Sequence, residues 1–126
     1  MKKQPVTVVI PAFNEEKTIS EVISRCSPFC DQILVVASPK SKDKTREISL
    51  KKGAEVILDH GKGKGDAIIT AISHVSEGII VFIDADGSHI PEDIPTIILI
   101  NGLQKSAADS LRDGDTLSVF PPIAGG

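Results

Sequence analysis

The stretch IIVFIDAD, residues 79–86, joins an apolar run to two carboxylates placed two residues apart. The apolar run predicts a buried strand. Open α/β sheets bind their ligands at the rim where such strands end, so we expect Asp84 and Asp86 at a ligand site. Paired carboxylates at that position suit a hard divalent cation, and such a cation suits a diphosphate. A loop with two solvated acids is the alternative, because so short a motif recurs by chance.

Strand-like runs recur along the first ninety residues. They predict four strands, at residues 6–10, 33–37, 54–58 and 79–83. Alternation of such strands with helical segments implies parallel strands joined by right-handed crossovers. The predicted fold class is therefore α/β, a Rossmann-like parallel sheet with flanking helices and extra C-terminal β-strands. Residues 97–100 and 116–120 are the expected extra strands, since β-branched residues favour strand over a helix continuing from Pro91.

Apolar residues at helical spacing mark the helices between these strands. The two clearest stripes are Ile19, Val22, Ile23 and Cys26, and Ile68, Ala71, Ile72 and Val75. We expect Asn14 to cap the first helix, with Glu15 and Glu16 in its first turn. Asp43 is the expected cap of the second helix, and Gly53 suits its end.

Composition limits the classes of function. A chain of 126 residues supports one core, and its 40% hydrophobic and 25% charged residues are ordinary for a globular domain. A net charge of −3 provides no field that favours nucleic acid, so no nucleic-acid partner is expected. No apolar run approaches the roughly 20 residues that span a bilayer, and no signal-peptide core follows the basic start. We therefore expect a cytoplasmic location.

The two cysteines do not indicate a metal centre. Cys26 and Cys30 are too few for a structural zinc site, which usually takes four ligands. Cys26 falls on the apolar stripe of the first helix and is expected to pack in the core.

Motifs in three places along the chain resemble family 2 glycosyltransferases. They are VVIPAFNEE at 8–16, GKGKGDA at 61–67 and FIDADGS at 82–88. The following HIPEDIP, residues 89–95, resembles the dolichyl-phosphate mannosyltransferase and glucosyltransferase branch. Single motifs of this kind are weak, but three in order at suitable spacing are fairly specific. The resemblance implies that residues 1–95 are the nucleotide-sugar-binding half of a truncated GT-A type domain.

The same resemblance implies a site. The nucleotide-binding residues that it implies are Pro11, Ala12, Glu15, Ser38, Lys64, Asp84 and Ala85. Asp84 and Asp86 are implied as ligands of a divalent cofactor, Mn²⁺ or Mg²⁺, that neutralises a departing diphosphate as a Lewis acid. The implied small-molecule partner is a nucleoside diphosphate sugar. No residue is identified as the catalytic base.

The segment after the second predicted strand departs from the family pattern. Where the family has an acidic stretch of the type VVDDGS, this chain has VVASPKS at residues 35–41. The expected base-contacting carboxylate is missing, and Ser38 is a poor substitute, so the nucleotide preference stays open. Residues 40–52 hold six basic and two acidic side chains, which suit either a solvated helix face or contact with phosphate.

Residues 96–126 resemble a different family. The run PTIILING at 95–102, followed by LRDGDTLSVFPPIAGG at 111–126, is similar to the small sulfur-carrier subunit of molybdopterin synthase and to ubiquitin-like archaeal modifiers. That resemblance implies an adenylating enzyme as partner and conjugation through the terminal carboxylate of Gly126. A frayed terminus that happens to end in two glycines is the alternative.

The two resemblances leave three functions open. The first is a nucleotide-diphospho-sugar-binding, glycosyltransferase-like protein that is incomplete for transfer, and it accounts for most of the residues. The second is a sulfur carrier or protein modifier acting through Gly126. The third is an inactive fusion or chimera. In each case the open edges of a truncated sheet suggest a homodimer.

Overall fold

The computed structural model of the chain describes residues 5–88 and 90–91, together with three short strands further on. Strands and helices alternate up to residue 82. The elements are β1 (Val6–Ala12), α1 (Ile19–Cys26), β2 (Gln32–Ala37), α2 (Thr45–Lys51), β3 (Glu55–Leu58), α3 (Lys64–His74) and β4 (Ile79–Phe82). A short 3₁₀ turn, Ser27–Phe29, follows α1. The four predicted strands are therefore confirmed.

These strands form one parallel sheet with the order β3-β2-β1-β4. Val9 of β1 pairs with Leu34 of β2 on one side and with Phe82 of β4 on the other. Parallel strands require crossover connections, which the helices between them provide. The predicted α/β class with a parallel sheet and flanking helices is confirmed.

Alternate residues of β1 enter two separate cores, because successive side chains of a strand point to opposite faces of the sheet. Val8 and Ile10 pack with Ile23 of α1 in one buried cluster. Val9 packs in a second buried cluster with Ala71 of α3. Both faces of the sheet are thus covered, which explains why β1 and β2 are almost continuously apolar.

The prediction that Asn14 caps α1 is wrong. The helix begins at Ile19, after Thr18, and its first turn carries Glu21 rather than Glu15 or Glu16. Asn14 adopts a left-handed conformation with φ of 52°. Its side chain instead accepts hydrogen bonds from the loop after β2, so tertiary contacts outweigh the local capping preference.

The predicted stripe of α3 is shifted. Ala67 and Ala71 are its buried residues, whereas Ile72 is 54% exposed. Ile68 and Val75 are half-buried. Small side chains at positions 67 and 71 face the sheet, and Ile72 turns outward as a result. For α2 the N-cap is Lys44, which makes no side-chain cap, so Asp43 is not the cap that was expected. Asp43 lies one residue earlier and accepts a hydrogen bond from the Thr45 amide at the start of the helix.

Beyond residue 91 the described strands are β5 (Ile98–Ile100), β6 (Leu103–Lys105) and β7 (Leu117–Val119). They form an antiparallel sheet with the order β6-β5-β7. Strands β5 and β7 fall within the segments predicted as extra strands. Gly126 lies outside the described residues. None of the described helices is long and apolar enough to cross a membrane.

Candidate functional site

A cleft of about 490 Å³ opens at the carboxyl ends of the parallel strands. The loop after each of the four strands contributes to its walls, as expected for a ligand site in an open α/β sheet. The cleft brings together all the residues predicted for nucleotide and metal, namely Pro11, Ala12, Glu15, Ser38, Lys64, Asp84, Ala85 and Asp86. Their individual roles remain predictions.

The two carboxylates differ in their surroundings. Asp84 is partly buried and pairs with the ammonium of Lys64, the first residue of α3. Asp86 is exposed, and its Oδ1 accepts a hydrogen bond of 2.9 Å from the Ser88 amide. The Asp-x-Asp turn is therefore held on one side by an ion pair and on the other by its own backbone.

This donor set fits a divalent cation that is shared with a ligand. Within residues 5–88 and 90–91, no three His, Cys, Asp or Glu side chains come close enough to hold a metal by themselves. Mg²⁺-like ions usually bind through one or two carboxylates, several waters and substrate phosphates. Asp84 and Asp86 match that pattern, whereas a closed zinc-type cage does not.

Hydrogen bonds between residues 14–16 and residues 41–45, which we call the loop clasp, join the loop after β1 to the loop after β2. The backbone N–H of Asn14 donates a hydrogen bond of 3.1 Å to the Ser41 hydroxyl, and the side-chain Oδ1 of Asn14 accepts one of 2.8 Å from the backbone N–H of Lys42. The Glu15 amide donates to the hydroxyl of Thr45 at 2.8 Å. Glu15 lines the cleft. The clasp therefore sets the backbone from which the Glu15 side chain projects.

Asp43 is the centre of the loop clasp. Its carboxylate accepts hydrogen bonds from the Glu16 amide at 3.0 Å and from the Thr45 amide at 3.0 Å. Burial raises the pKa of the Asp43 carboxyl, but hydrogen bonds from Thr45, Glu16 and Ser41 outweigh that effect and hold the pKa below its ordinary value. The carboxylate form is thus the one that holds the two loops together.

The glycine- and lysine-rich loop is anchored by Asp66 in the first turn of α3. Its carboxylate accepts from the His60 amide at 2.7 Å and from the Lys62 amide at 3.1 Å, and it pairs with the His60 ring at 2.8 Å. The hydrogen bond from the His60 ring is the main reason that the pKa of Asp66 falls to about 2. Gly63 has a φ of 100°, which permits the sharp turn into α3.

Four further side chains line the cleft that the sequence did not identify as site residues, those of Phe13, Lys40, Asp59 and Ala67. Phe13 is 53% exposed at the rim. Lys40 lies over Gly61, where a Cβ would stand 3.2 Å from the lysine Cε. Asp59 directly follows β3. Its position at the carboxyl end of a strand was the signal that could have identified it.

Neither cysteine contributes to the cleft. Cys26 is buried on α1, as predicted, and Cys30 is half-buried near the opposite end of the sheet. Burial, aided by the charge of Asp31, raises the pKa of the Cys30 thiol to about 11. A thiol with so high a pKa stays protonated near neutral pH and is a poor nucleophile or metal ligand.

The fold and the cleft define an open α/β domain whose cleft lies at the carboxyl ends of the parallel strands, and sequence comparison identifies its family. The profile described as "Glycosyl transferase family 2" matches residues 7–102. The chain belongs to this family.

Two curated relatives illustrate the relationship. An uncharacterized protein of Methanocaldococcus jannaschii is 35% identical over 98% of this chain and 54% of its own length. The undecaprenyl-phosphate 4-deoxy-4-formamido-L-arabinose transferase of Salmonella paratyphi B is 30% identical over 74% of this chain and 32% of its own length. The chain thus spans between a third and about half of these relatives.

Solved structures of a glucosyl-3-phosphoglycerate synthase from Mycobacterium tuberculosis share the fold. The complex with UDP superposes with a TM-score of 0.66 at 33% identity, over 75% of this chain and 38% of the synthase. The same synthase has been solved with Mn²⁺, UDP-glucose and phosphoglyceric acid, with a TM-score of 0.65 and 31% identity. A further structure holds Mg²⁺ and UDP. Mn²⁺ and Mg²⁺ are the ions predicted here from the Asp-x-Asp element.

These matches support only the glycosyltransferase part of the sequence interpretation. The family profile extends to residue 102, and the M. jannaschii relative aligns with 98% of the chain, so part of the segment assigned to a sulfur carrier lies within the glycosyltransferase match. None of the relatives named above supports the ubiquitin-like resemblance, an adenylating partner or a homodimer.

Proposed function

We propose that this chain binds a nucleoside diphosphate sugar together with a divalent cation, as the donor-binding part of a family 2 glycosyltransferase. The observation that carries the proposal is the cleft at the carboxyl ends of the strands, which brings Asp84 and Asp86 together with Ser38 and Lys64. This chain spans only part of the length of its relatives, so the proposal for it covers donor binding. Transfer of the sugar to an acceptor is proposed only for the longer architecture of those relatives.

The residues of the cleft would have three different roles in binding the donor. Asp84 and Asp86 would hold Mg²⁺ or Mn²⁺, which supplies positive charge that offsets the diphosphate of the leaving group. Lys64 stands at the start of α3 beside Asp84 and adds a second positive charge at the same end of the cleft. Pro11, Ala12 and Glu15, from the end of β1 and the loop after it, form the wall against which the nucleotide would lie.

The proposal does not extend to conjugation through Gly126. That function rests only on the resemblance of residues 96–126, and no described contact or matched relative favours it. The cytoplasmic location likewise stays a prediction from the sequence.

Calorimetric titration with UDP and with GDP, each with and without Mn²⁺, tests the proposal. We expect saturable binding that needs the metal and is lost in Asp86→Asn. This substitution removes the charge but keeps an oxygen that can accept from the Ser88 amide. Glu77→Gln, a charge change on an exposed residue outside the cleft, is the control and should bind like the unaltered protein. Absence of metal-dependent binding in the unaltered protein would overturn the proposal.

A further inference from the structure

The two ends of the cleft differ in chemistry. Asp84 and Asp86 lie beyond β4, at one edge of the sheet, whereas Asp59 lies beyond β3, at the other edge. With the order β3-β2-β1-β4, three strand spacings separate these edges, which is roughly 14 Å. An extended nucleoside diphosphate covers a distance of this order. If the diphosphate and its cation occupy the Asp84 end, as in the proposed function on which this inference rests, the base reaches the Asp59 end.

Ser38 and Asp59 are neighbours at that end. Ala37 of β2 pairs with Leu58 of β3, so the next residue of each parallel strand continues the same register. The Asp59 amide donates to the carbonyl of Ala37 at 3.0 Å, which extends the ladder by one step. Adjacent strands are about 4.8 Å apart, so the two side chains can contact one flat ligand together.

The Asp59 carboxylate is held in place but keeps acceptor capacity. Its Oδ1 accepts a hydrogen bond of 2.7 Å from the Gly61 amide. Within the described part of the chain, no lysine, arginine or histidine forms an ion pair with it. An ionised carboxylate offers about four lone-pair sites, so sites remain for a ligand in the cleft. Ser38 accepts at its hydroxyl from the Lys40 amide at 3.1 Å, which leaves its own hydrogen to donate.

We propose that Asp59 is the residue that selects the base, by accepting a hydrogen bond from a ring N–H. Uracil at N3 and guanine at N1 present such an N–H beside a carbonyl, and the Ser38 hydroxyl is placed to donate to that carbonyl. Cytosine and adenine present a ring nitrogen lone pair at the corresponding position, which a carboxylate repels. The carboxylate that the family pattern places after β2 is thus supplied by the neighbouring strand.

Asp59→Asn tests this role with little disturbance of the loop. The amide oxygen can still accept from the Gly61 amide, while the amide nitrogen can donate to a ring lone pair. Affinities for UDP, GDP, CDP and ADP are measured by calorimetry with Mn²⁺ present. We expect the unaltered protein to prefer UDP or GDP over CDP and ADP. Comparison of the UDP and GDP titrations distinguishes uracil from guanine. In the variant, the preference for UDP or GDP over CDP should fall by about tenfold or more.

Asp66→Asn is the matched control. Asp66 anchors the same loop but does not line the cleft. Its loss should therefore lower the affinities for all four nucleotides by a similar factor and leave the ratios of those affinities unchanged. The ratio of two dissociation constants measured on one sample does not depend on the folded fraction, so partial misfolding of a variant does not obscure the result.

The outcomes separate the inference from the proposed function. If the unaltered protein binds no nucleotide with Mn²⁺, the proposed function fails and the inference fails with it. If it binds UDP or GDP but Asp59→Asn keeps the same ratio to CDP, only the inference is overturned. A lowered ratio in Asp59→Asn with an unchanged ratio in Asp66→Asn supports it.

Discussion

The hydroxyl of Thr18 donates a hydrogen bond of 2.6 Å to the carbonyl oxygen of Ala85. Thr18 directly precedes α1, and Ala85 lies between the two carboxylates of the Asp-x-Asp turn. The contact joins residues 67 positions apart. This hydrogen bond therefore fixes the position of the turn that carries Asp84 and Asp86 relative to the start of α1.

Replacing Thr18 with valine should loosen this turn. Valine has a similar volume but no donor, so the carbonyl of Ala85 loses a partner. We expect the free energy of unfolding to fall by about 1 kcal/mol, and the affinity for UDP with Mn²⁺ to fall several-fold because the carboxylates are less well positioned. Urea unfolding and calorimetry measure the two effects. Thr18→Ser keeps the donor and should restore most of both; a Thr18→Val protein with unaltered affinity would contradict the positioning role.

Substituting Asp43 tests the loop clasp. Asp43→Asn replaces one carboxylate oxygen with an amide nitrogen, which cannot accept from the Glu16 amide. The side chain is partly exposed, so we expect a modest loss of about 1 kcal/mol in the free energy of unfolding at neutral pH. Chemical denaturation measures it. Glu47→Gln, an exposed carboxylate on α2, should change stability by less than about 0.5 kcal/mol. Equal effects of the two substitutions would argue against the clasp.

Asp66 gives the stability a defined pH dependence. Its pKa is about 2 in the folded chain against an ordinary value of 3.8. The folded state therefore binds fewer protons than the unfolded chain in this range. The stabilising contribution is complete above the ordinary pKa and is lost as the pH falls from about 4 towards about 2.

The comparison that isolates this effect is the difference in free energy of unfolding between the unaltered protein and Asp66→Asn. We expect this difference to be present at about pH 5 and to shrink towards zero at about pH 2. A difference that does not change with pH would show that the carboxylate charge contributes nothing to anchoring the loop.

Two glycines with almost the same backbone angle should differ in their tolerance of alanine. Gly53 and Gly78 have φ of +88° and +85°, but a Cβ at position 78 would stand 2.3 Å from the carbonyl oxygen of Pro5, whereas position 53 is open. That carbonyl also accepts from the Ile79 amide at 2.8 Å, so it cannot move freely. Gly53→Ala should cost about 1–2 kcal/mol from the left-handed angle alone. Gly78→Ala should cost roughly 3 kcal/mol or more. Denaturant unfolding of both variants measures the loss in free energy of unfolding. Equal losses for Gly53→Ala and Gly78→Ala would contradict the steric argument.

Much of the fold could be predicted because its signals are local. Buried parallel strands must be apolar on both faces, so β1, β2 and β4 stand out as continuous apolar runs. The Asp-x-Asp element was found for the same reason, as the point where such a run ends. Family resemblance then supplied candidate residues from the ends of β1, β2 and β4 and from the start of α3, and the cleft contains every one of them.

The errors came from contacts between distant residues. Asn14 has the chemistry of a helix cap, but its side chain bonds to Ser41 and Lys42 of another loop. Ile72 has the spacing of a core residue, but Ala67 and Ala71 make the close approach to the sheet. Local propensity cannot foresee which of two acceptable partners lies nearer in the folded chain.

The sequence by itself determined the alternation of strands and helices, the carboxylate pair after β4 and the membership of a glycosyltransferase family. These depend on residue type and spacing along the chain. Only the tertiary structure decided that Asp59 stands beside Ser38 at the far end of the cleft from Asp86. That arrangement follows from the strand order β3-β2-β1-β4, which is fixed by hydrogen bonds between strands far apart in sequence and by the helices that pack across them.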